Sequence, residues 1–174
     1  LKKTTKRLDQ HLRITGLWLK ILDRVLDTQR SYLRQCRYMV IDLSDIQKRY
    51  AEQMWGLAEV YDGSEQTTGS GYWLCNVTGV DSSSVLIVSA HSELYSLAEE
   101  NSSDNKKLLS VIERVSDVVS NYSIWVDDRG GDRKSLMNPL VGAGRQFVIR
   151  QVGNRDLYFN GSKQPLKAIS RAVK

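Results

Sequence analysis

Cysteine and histidine are scarce in this sequence, and their scarcity excludes two kinds of site. Two cysteines occur among the 174 residues, Cys36 and Cys75, and neither belongs to a Cys-x-x-Cys motif. Two cysteines cannot build a disulfide framework, and their apolar neighbours predict small core residues in a reducing cytoplasm. The two histidines, His11 and His91, lie far apart in the chain, which argues against a zinc site.

Long apolar runs are also missing. No stretch reaches the roughly 18 consecutive apolar residues that a membrane-spanning helix needs, so we predict no membrane partner. The first seven residues, LKKTTKR, are basic but lead into no apolar signal-peptide core, which argues against export. The chain begins without methionine, and we therefore expect a piece of a longer protein.

Length and composition fit a single globular domain. The chain has 174 residues, of which 41% are hydrophobic and 26% charged, enough for one sizeable core. The net charge of +5 is unevenly distributed: residues 1–41 hold ten Lys and Arg against three Asp and Glu, residues 42–128 five against fifteen, and residues 129–174 ten against two. An acidic centre between basic ends suits an enzyme that gathers cations on carboxylates and holds nucleic-acid phosphates on its flanks.

Two short apolar runs end in carboxylates. One is YMVID at 38–42 and the other is SIWVDD at 123–128. Short apolar runs that contain β-branched residues predict buried strands. Carboxylates at the ends of such strands emerge at the rim of an α/β sheet, where ligands bind. If the strands are neighbours, Asp42 and Asp128 can share a divalent cation.

The other elements follow from apolar spacing and turn residues. Spacings of three and four residues predict a helix over 6–36. A second helix is predicted over 46–58, capped by Ser44 or Asp45, with an apolar face that comprises Met54, Trp55, Leu57 and Val60. Gly, Ser and Thr predict turns and a loop across 61–71. The elements predicted after that are a hairpin of strands 72–80 and 85–90, a helix over 108–119, a strand over 123–127, a helix over 132–141, a strand over 146–150, a small hairpin over 156–161 and a helix after Pro165.

This order predicts a mixed α/β sheet. Three antiparallel strands come first, and parallel strands joined by helical crossovers follow. A ribonuclease H-like core has this order, with the helix over 46–58 as a local insertion. Such a core places the end of the first strand beside the end of the fourth, so Asp42 and Asp128 are expected side by side.

Ordered blocks of sequence run through the middle of the chain. They include VIDLSDI at 40–46, GYWL at 71–74, WVDDRGGDR at 125–133 and FVIR at 147–150. Together they resemble the bacterial insertion-sequence transposases of the DDE class, in particular their IS-four-like group, over roughly residues 38–160. The resemblance implies a ribonuclease H-like catalytic core that performs metal-dependent cleavage and strand transfer on DNA at the nucleoid in the cytoplasm.

The resemblance also implies catalytic residues. By their places in the blocks, Asp42 is similar to the first catalytic acid of the family and Asp128 to the second. Asp45, three residues after Asp42, and Asp127, directly before Asp128, are the neighbouring alternatives. The implied cofactor is Mg²⁺ or Mn²⁺, with two ions about 4 Å apart in a complete site. Carboxylates are suitable ligands because both cations prefer hard oxygen donors.

The partner implied by the resemblance is double-stranded DNA, as transposon ends and as target, bound by a homodimer. Basic residues after the second acid are the candidates for phosphate contacts: Arg129, Arg133, Arg150 and Arg155. An alternative role for Arg129 and Arg133 is to form ion pairs with Asp127 and Asp132 at the rim of the sheet.

One departure from the family concerns the third acid. In these transposases it is a Glu well beyond the second Asp, but this chain has no Glu after Glu113. We therefore expect residues 37–174 to be a catalytic core truncated before its third acid and inactive by itself. Residues 1–36 are then the helical end of an upstream DNA-binding region.

Two alternative functions remain open. The first is a ribonuclease H-like nuclease that recruits an upstream Glu as its third ligand, because true ribonucleases H place a Glu between the two Asp positions. The candidates are Glu93, Glu99 and Glu100. The second is a non-catalytic DNA-binding remnant, which would bind DNA without any dependence on metal.

Overall fold

The computed structural model describes residues 16–51, 53–63, 65–81, 83, 86–98, 103–152 and 155–172. In chain order its elements are α1 (Leu17–Leu33), β1 (Tyr38–Gln47), β2 (Ala58–Asp62), β3 (Thr67–Asp81), β4 (Leu86–Tyr95), α2 (Asp104–Ser116), β5 (Ile124–Asp127), a 3₁₀ turn (Arg129–Gly131), α3 (Lys134–Gly142), β6 (Gln146–Ile149), β7 (Asp156–Phe159), β8 (Ser162–Pro165) and α4 (Leu166–Ala172). None of the helices formed by these residues is long and apolar enough to cross a membrane.

A six-stranded mixed sheet organises the fold. β3 pairs antiparallel with β1 and with β4, and β1 pairs in parallel with β5, which pairs in parallel with β6. The first strand therefore lies between an antiparallel meander and two parallel strands that are reached through helices. This strand order, with these directions, is the ribonuclease H-like arrangement, and it confirms the predicted fold class.

β2 is an additional strand beside β3. Gly71 of β3 pairs with Gln47 of β1 and also with Ala58 of β2, so these two strands flank β3 on opposite sides. A Cβ atom on Gly71 would lie 2.3 Å from the carbonyl oxygen of Ile46. The close approach of three strands at this point explains a glycine within the strand.

The helix predicted over 46–58 is wrong. β1 continues to Gln47, β2 begins at Ala58, and the described residues between them form turns in which Gly56 has a φ of +71°. Trp55, expected on a buried helical face, is 82% exposed. The pairing of β1 with β3 along its whole length outweighs the local helical spacing. For the same reason the loop predicted over 61–71 is shorter, since β3 already begins at Thr67.

The helices α1, α2 and α3 share one apolar core with the sheet. On the strands the core takes alternate residues, among them Met39, Ile41, Cys75 and Val77, each at most 4% exposed. The helices contribute Leu26, Leu33, Leu108, Val111, Ile112, Val115, Leu136 and Leu140. Cys36 and Cys75 are both buried and free, as predicted.

The opposite side of the sheet, here called the open face, carries the side chains that alternate with these core residues. Val40, Ile87, Leu94 and Val148 point to it and are between 36% and 70% exposed. Asp42 points to it as well, because its neighbour Ile41 is buried against the helices. The open face is therefore the side on which a ligand can reach the first predicted acid.

The remaining predicted elements are confirmed, with changes of a few residues at their ends. Ser103 caps α2 by accepting a hydrogen bond from the main-chain N–H of Lys106 (3.3 Å). β7 and β8 form the small hairpin, and α4 follows Pro165 directly. Residues 6–15 of the first predicted helix lie outside the described residues, and the proposed boundary between 1–36 and 37–174 stays a prediction.

Candidate functional site

β1 and β5 bring the two predicted acids together. The parallel register pairs Val40 with Val126, and Asp128 still has an extended backbone (φ −81°, ψ −159°). The paired residues end there, and the same register continued for two residues would bring Asp42 opposite Asp128. Residues opposite one another on adjacent strands share a face of the sheet, and both aspartates are exposed. Asp42 therefore lies on the open face next to the point where β5 ends, and Asp128 is the residue that follows this end.

A short local hydrogen bond orients each of these carboxylates. Oδ2 of Asp42 accepts from the Ser44 hydroxyl (2.8 Å). Oδ1 of Asp128 accepts from the main-chain N–H of Gly130 (2.7 Å) and caps the 3₁₀ turn. In each case the second carboxylate oxygen accepts no hydrogen bond from the described residues, so one oxygen of each acid is available to a ligand.

The alternative acids point to the other side of the sheet. Asp127 lies two residues after the buried Trp125, so its side chain points to the same, helix-facing side of the sheet. Its Oδ1 accepts a hydrogen bond from the main-chain N–H of Asp128 (2.8 Å). Its other oxygen packs so closely on Gly131 that a Cβ there would lie 2.5 Å away. Asp45 lies opposite Trp73, which packs on the core. Strand alternation therefore favours Asp42 and Asp128 as the pair that shares a ligand.

The surroundings of Asp127 raise its pKa to about 6. Burial is the largest cause, and the neighbouring charges of Asp128 and Asp42 add to it. The hydrogen bond from the Asp128 main chain and the positive charge of Arg133 act in the opposite direction. Asp42 thus acts electrostatically on Asp127, although the two side chains point to opposite sides of the sheet.

Glu93 does not join these acids. It pairs with Cys75, whose side chain is fully buried on the helix-facing side. Its carboxylate accepts a hydrogen bond from Lys107 Nζ (2.5 Å) and lies 3.1 Å from His91 Nε2. Glu93 is thus engaged on the face opposite Asp42, while Glu99 and Glu100 lie outside the described residues. In the part of the chain that the structure describes, no three His, Cys, Asp or Glu side chains are grouped to hold a metal ion.

The contacts of Glu93 shift its pKa. Burial alone would raise it, but hydrogen bonds from His91 and Lys107 and their positive charges outweigh burial and lower the pKa below its ordinary value. An ionised Glu93 therefore stabilises the fold by joining β4 to α2. A carboxyl group with a lowered pKa stabilises the fold above its unfolded-state pKa, and this contribution is lost as the pH falls through the folded-state pKa.

The substitution Glu93→Gln should reduce the free energy of unfolding at neutral pH but not in acid. The difference from wild type should be complete above the unfolded-state pKa of about 4.3 and should be lost as the pH falls through the lowered pKa of the folded state. Urea unfolding at a series of pH values measures it. Glu113→Gln, at an exposed position on α2, is the control. A difference of constant size from pH 3 to 7 would contradict the role assigned to the Glu93 charge.

The four candidate arginines have different surroundings. Arg129 and Arg150 are exposed beside the acids, and the main-chain N–H of Arg150 donates to the carbonyl oxygen of Asp127 (3.1 Å). Arg133 is half-buried and close enough to influence the pKa of Asp127. Arg155 is engaged by a buried acid, described next. Two of the four, Arg129 and Arg150, therefore combine exposure with a position at the rim.

A buried ion pair joins the loop after β5 to the segment after β6. Arg155 Nη2 lies 2.6 Å from Oδ1 of Asp132 and donates to the carbonyl oxygen of the same residue (2.7 Å). The Asp132 side chain is fully buried, and its Oδ2 accepts from the main-chain N–H of Val152 (2.6 Å). Pairing with Asp132 was the alternative for Arg129 and Arg133, but Arg155 makes this pair. No local pattern predicts it, because the partners are 23 residues apart.

Comparison with known protein families and with curated proteins gives no match. Among solved structures, the chain is similar to the crystal structure of the Mos1 strand transfer complex, with 11% identity, a TM-score of 0.39, and coverage of 78% of this chain and 42% of that one. It is also similar to the Mos1 transposase paired-end complex with the left transposon end, with 13% identity, a TM-score of 0.34, and coverage of 72% and 39%. The chain thus spans about two fifths of these Mos1 chains. At such TM-scores the overlap identifies neither fold nor activity, and the fold class rests on the strand order above.

Proposed function

We propose that this chain is the catalytic core of a DDE-class DNA transposase of the insertion-sequence type. Enzymes of this class catalyse nucleotidyl transfer. The observation that carries the proposal is that β1, which contains Asp42, pairs in parallel with β5, which ends one residue before Asp128, within a ribonuclease H-like sheet. The ordered sequence blocks that resemble this class contain the same two aspartates. The full protein would cleave DNA at transposon ends and join those ends to a target.

Asp42 and Asp128 are proposed to hold Mg²⁺ or Mn²⁺. Their carboxylates are hard oxygen donors that face solvent, whereas Cys75 and His91 lie on the buried side of the sheet, so the donor set suits these cations. A complete site with two ions activates water or a 3′-hydroxyl and stabilises the leaving oxygen. Two carboxylates alone should hold one ion weakly, and we expect no turnover from them.

Arg129 and Arg150 are proposed to contact DNA phosphates beside the acids. Both are exposed, and both lie within two residues of a strand that ends at the site. Positive charges placed there would bind the backbone of duplex DNA, with an affinity that falls as salt rises. In the full protein two copies would act on paired transposon ends, so a homodimer belongs to the proposal.

Titration with Mn²⁺ tests the proposed site. The free ion is followed by its electron paramagnetic resonance signal, with Asp42→Asn, Asp128→Asn and Asp45→Asn compared with wild type. Loss of either proposed ligand should weaken Mn²⁺ binding by at least about tenfold, as for losses in other metal sites. Asp45→Asn removes the same charge from the opposite face and should change the affinity by less than about twofold.

Other outcomes separate the alternatives. If all three substitutions weaken Mn²⁺ binding equally, the loss reflects the change in net charge and not the loss of a ligand. This result would contradict the proposed site. If Mn²⁺ binding does not depend on Asp42 while DNA binds tightly without metal, the non-catalytic remnant is the better description. The nuclease alternative needs a third ligand, and the engagement of Glu93 with Lys107 on the helix-facing side argues against that residue.

A further inference from the structure

A row of polar side chains crosses the open face at the level of Asp42. The antiparallel registers pair Asp42 with Asn76 of β3, and Asn76 with Ser92 of β4. On the other side of Asp42, the parallel register pairs Val40 with Val126, and its continuation by two residues would lead to Asp128. The next pairs along the open face include apolar residues: Val40 opposite Thr78 and Ser44 opposite Leu74.

The orientation of Asn76 follows from its neighbours on β3. Cys75 and Val77 are fully buried on the helix-facing side, so the side chain between them points to the open face. Paired residues of an antiparallel ladder have their Cβ atoms about 4.5–5.5 Å apart. The amide group of Asn76 therefore lies directly beside the Asp42 carboxylate, on the side away from Asp128.

The Asn76 amide is not used by the fold. It is half-buried and makes no hydrogen bond to any of the described residues, unlike Asn105, whose Nδ2 donates to Ser135 Oγ (2.8 Å). Asp42 has its own partner in Ser44, which occupies Oδ2. Both the amide oxygen of Asn76 and Oδ1 of Asp42 remain available at neighbouring positions of the same row.

We propose that Asn76 supplies a third protein oxygen to the cation site, beside Asp42 and Asp128. This inference rests on the proposed function, since it extends the same site. Amide carbonyl oxygens are accepted ligands of hard divalent cations, directly or through a retained water. Because an amide is neutral, the three-residue set carries two negative charges, which balance one divalent cation. Asn76 thus adds a donor without adding repulsion between carboxylates.

Mn²⁺ titration of variants at Asn76 and Ser92 tests the proposal, with thermal melting to verify folding. Asn76→Ala should weaken Mn²⁺ binding by about tenfold, the lower end of the range for changes around a metal site. Asn76→Asp places a third carboxylate next to Asp42 and should tighten binding by about tenfold. Ser92→Asp adds the same charge on the same face, but two strand spacings, roughly 10 Å, from Asp42. It should tighten binding by less than about threefold because solvent and salt screen it.

The outcomes distinguish this inference from the proposed function. If Asn76→Ala binds Mn²⁺ as wild type does, or Asn76→Asp tightens binding no more than Ser92→Asp, the role of Asn76 is overturned. If Asp42→Asn weakens binding in the same experiment, the cation site itself survives that result. If neither Asp42→Asn nor Asn76→Ala changes the affinity, both proposals fail together.

Discussion

Substituting Asp132 by Ala should lower the free energy of unfolding by about 3–5 kcal/mol, the cost of breaking a buried ion pair from one side. The Asp132 side chain is fully buried, against 23% exposure for that of Arg155. Its removal leaves the guanidinium without its counter-charge and the N–H of Val152 without its acceptor. Urea unfolding at neutral pH measures the loss.

An exposed ion pair provides the matched control. Asp156 lies 3.2 Å from Lys163 across the β7–β8 hairpin, and the two side chains are 43% and 64% exposed. Asp156→Ala removes the same atoms as Asp132→Ala but should cost no more than about 1 kcal/mol, because solvent screens surface pairs. Similar losses in both variants would show that Asp132 acts as an ordinary surface charge.

The position of Asp132 gives its ion pair a consequence for the site. Asp132 lies four residues after Asp128 and ends the 3₁₀ turn that Asp128 caps. Arg155 and Val152 belong to the segment that follows β6. The pair therefore fixes the turn that carries Asp128 against the segment that follows Arg150. In a folded variant that lacks this ion pair, the position of the Asp128 carboxylate should be less well fixed.

Trp125→Ala should also cost about 3–5 kcal/mol of unfolding free energy, as is usual for a large aromatic removed from a core. Trp125 is 2% exposed, lies opposite Met39 on β1 and Phe147 on β6, and belongs to the core shared with the helices. Deleting its ring leaves a cavity beneath the strand that leads to Asp128. The change in the urea midpoint, at an unchanged slope, measures the effect.

Trp55→Ala deletes the same atoms from the surface. Trp55 is 82% exposed in the turns between β1 and β2, and its loss should change stability by less than about 0.5 kcal/mol. The carbonyl oxygen of Trp55, which accepts from the Tyr72 hydroxyl (2.5 Å), remains in this variant. A large loss at Trp55 together with a small one at Trp125 would contradict the assignment of the core.

The sheet and its two acids were predictable because their signals are local. Residues 38–42 and 123–128 each combine a short apolar run with a carboxylate at its end, and each run forms a strand. The second strand ends at Asp127 as expected, but the first continues to Gln47, so Asp42 lies within β1 and not at its end. The prediction of a helix over 46–58 failed for a related reason. Its spacing was local as well, but β1 continues through its first residues by pairing with β3, which is distant in sequence.

The sequence by itself determined the class of fold, the order of strands and helices, and two aspartates as candidate ligands. These follow from periodicity and from residues that end strands, which act over a few neighbouring positions. Tertiary structure alone decided which side chains share a face. Register placed Asn76 beside Asp42, turned Glu93 towards Lys107, and joined Arg155 to Asp132. Such relations depend on pairing between distant segments, where displacement by one residue moves a side chain to the other face.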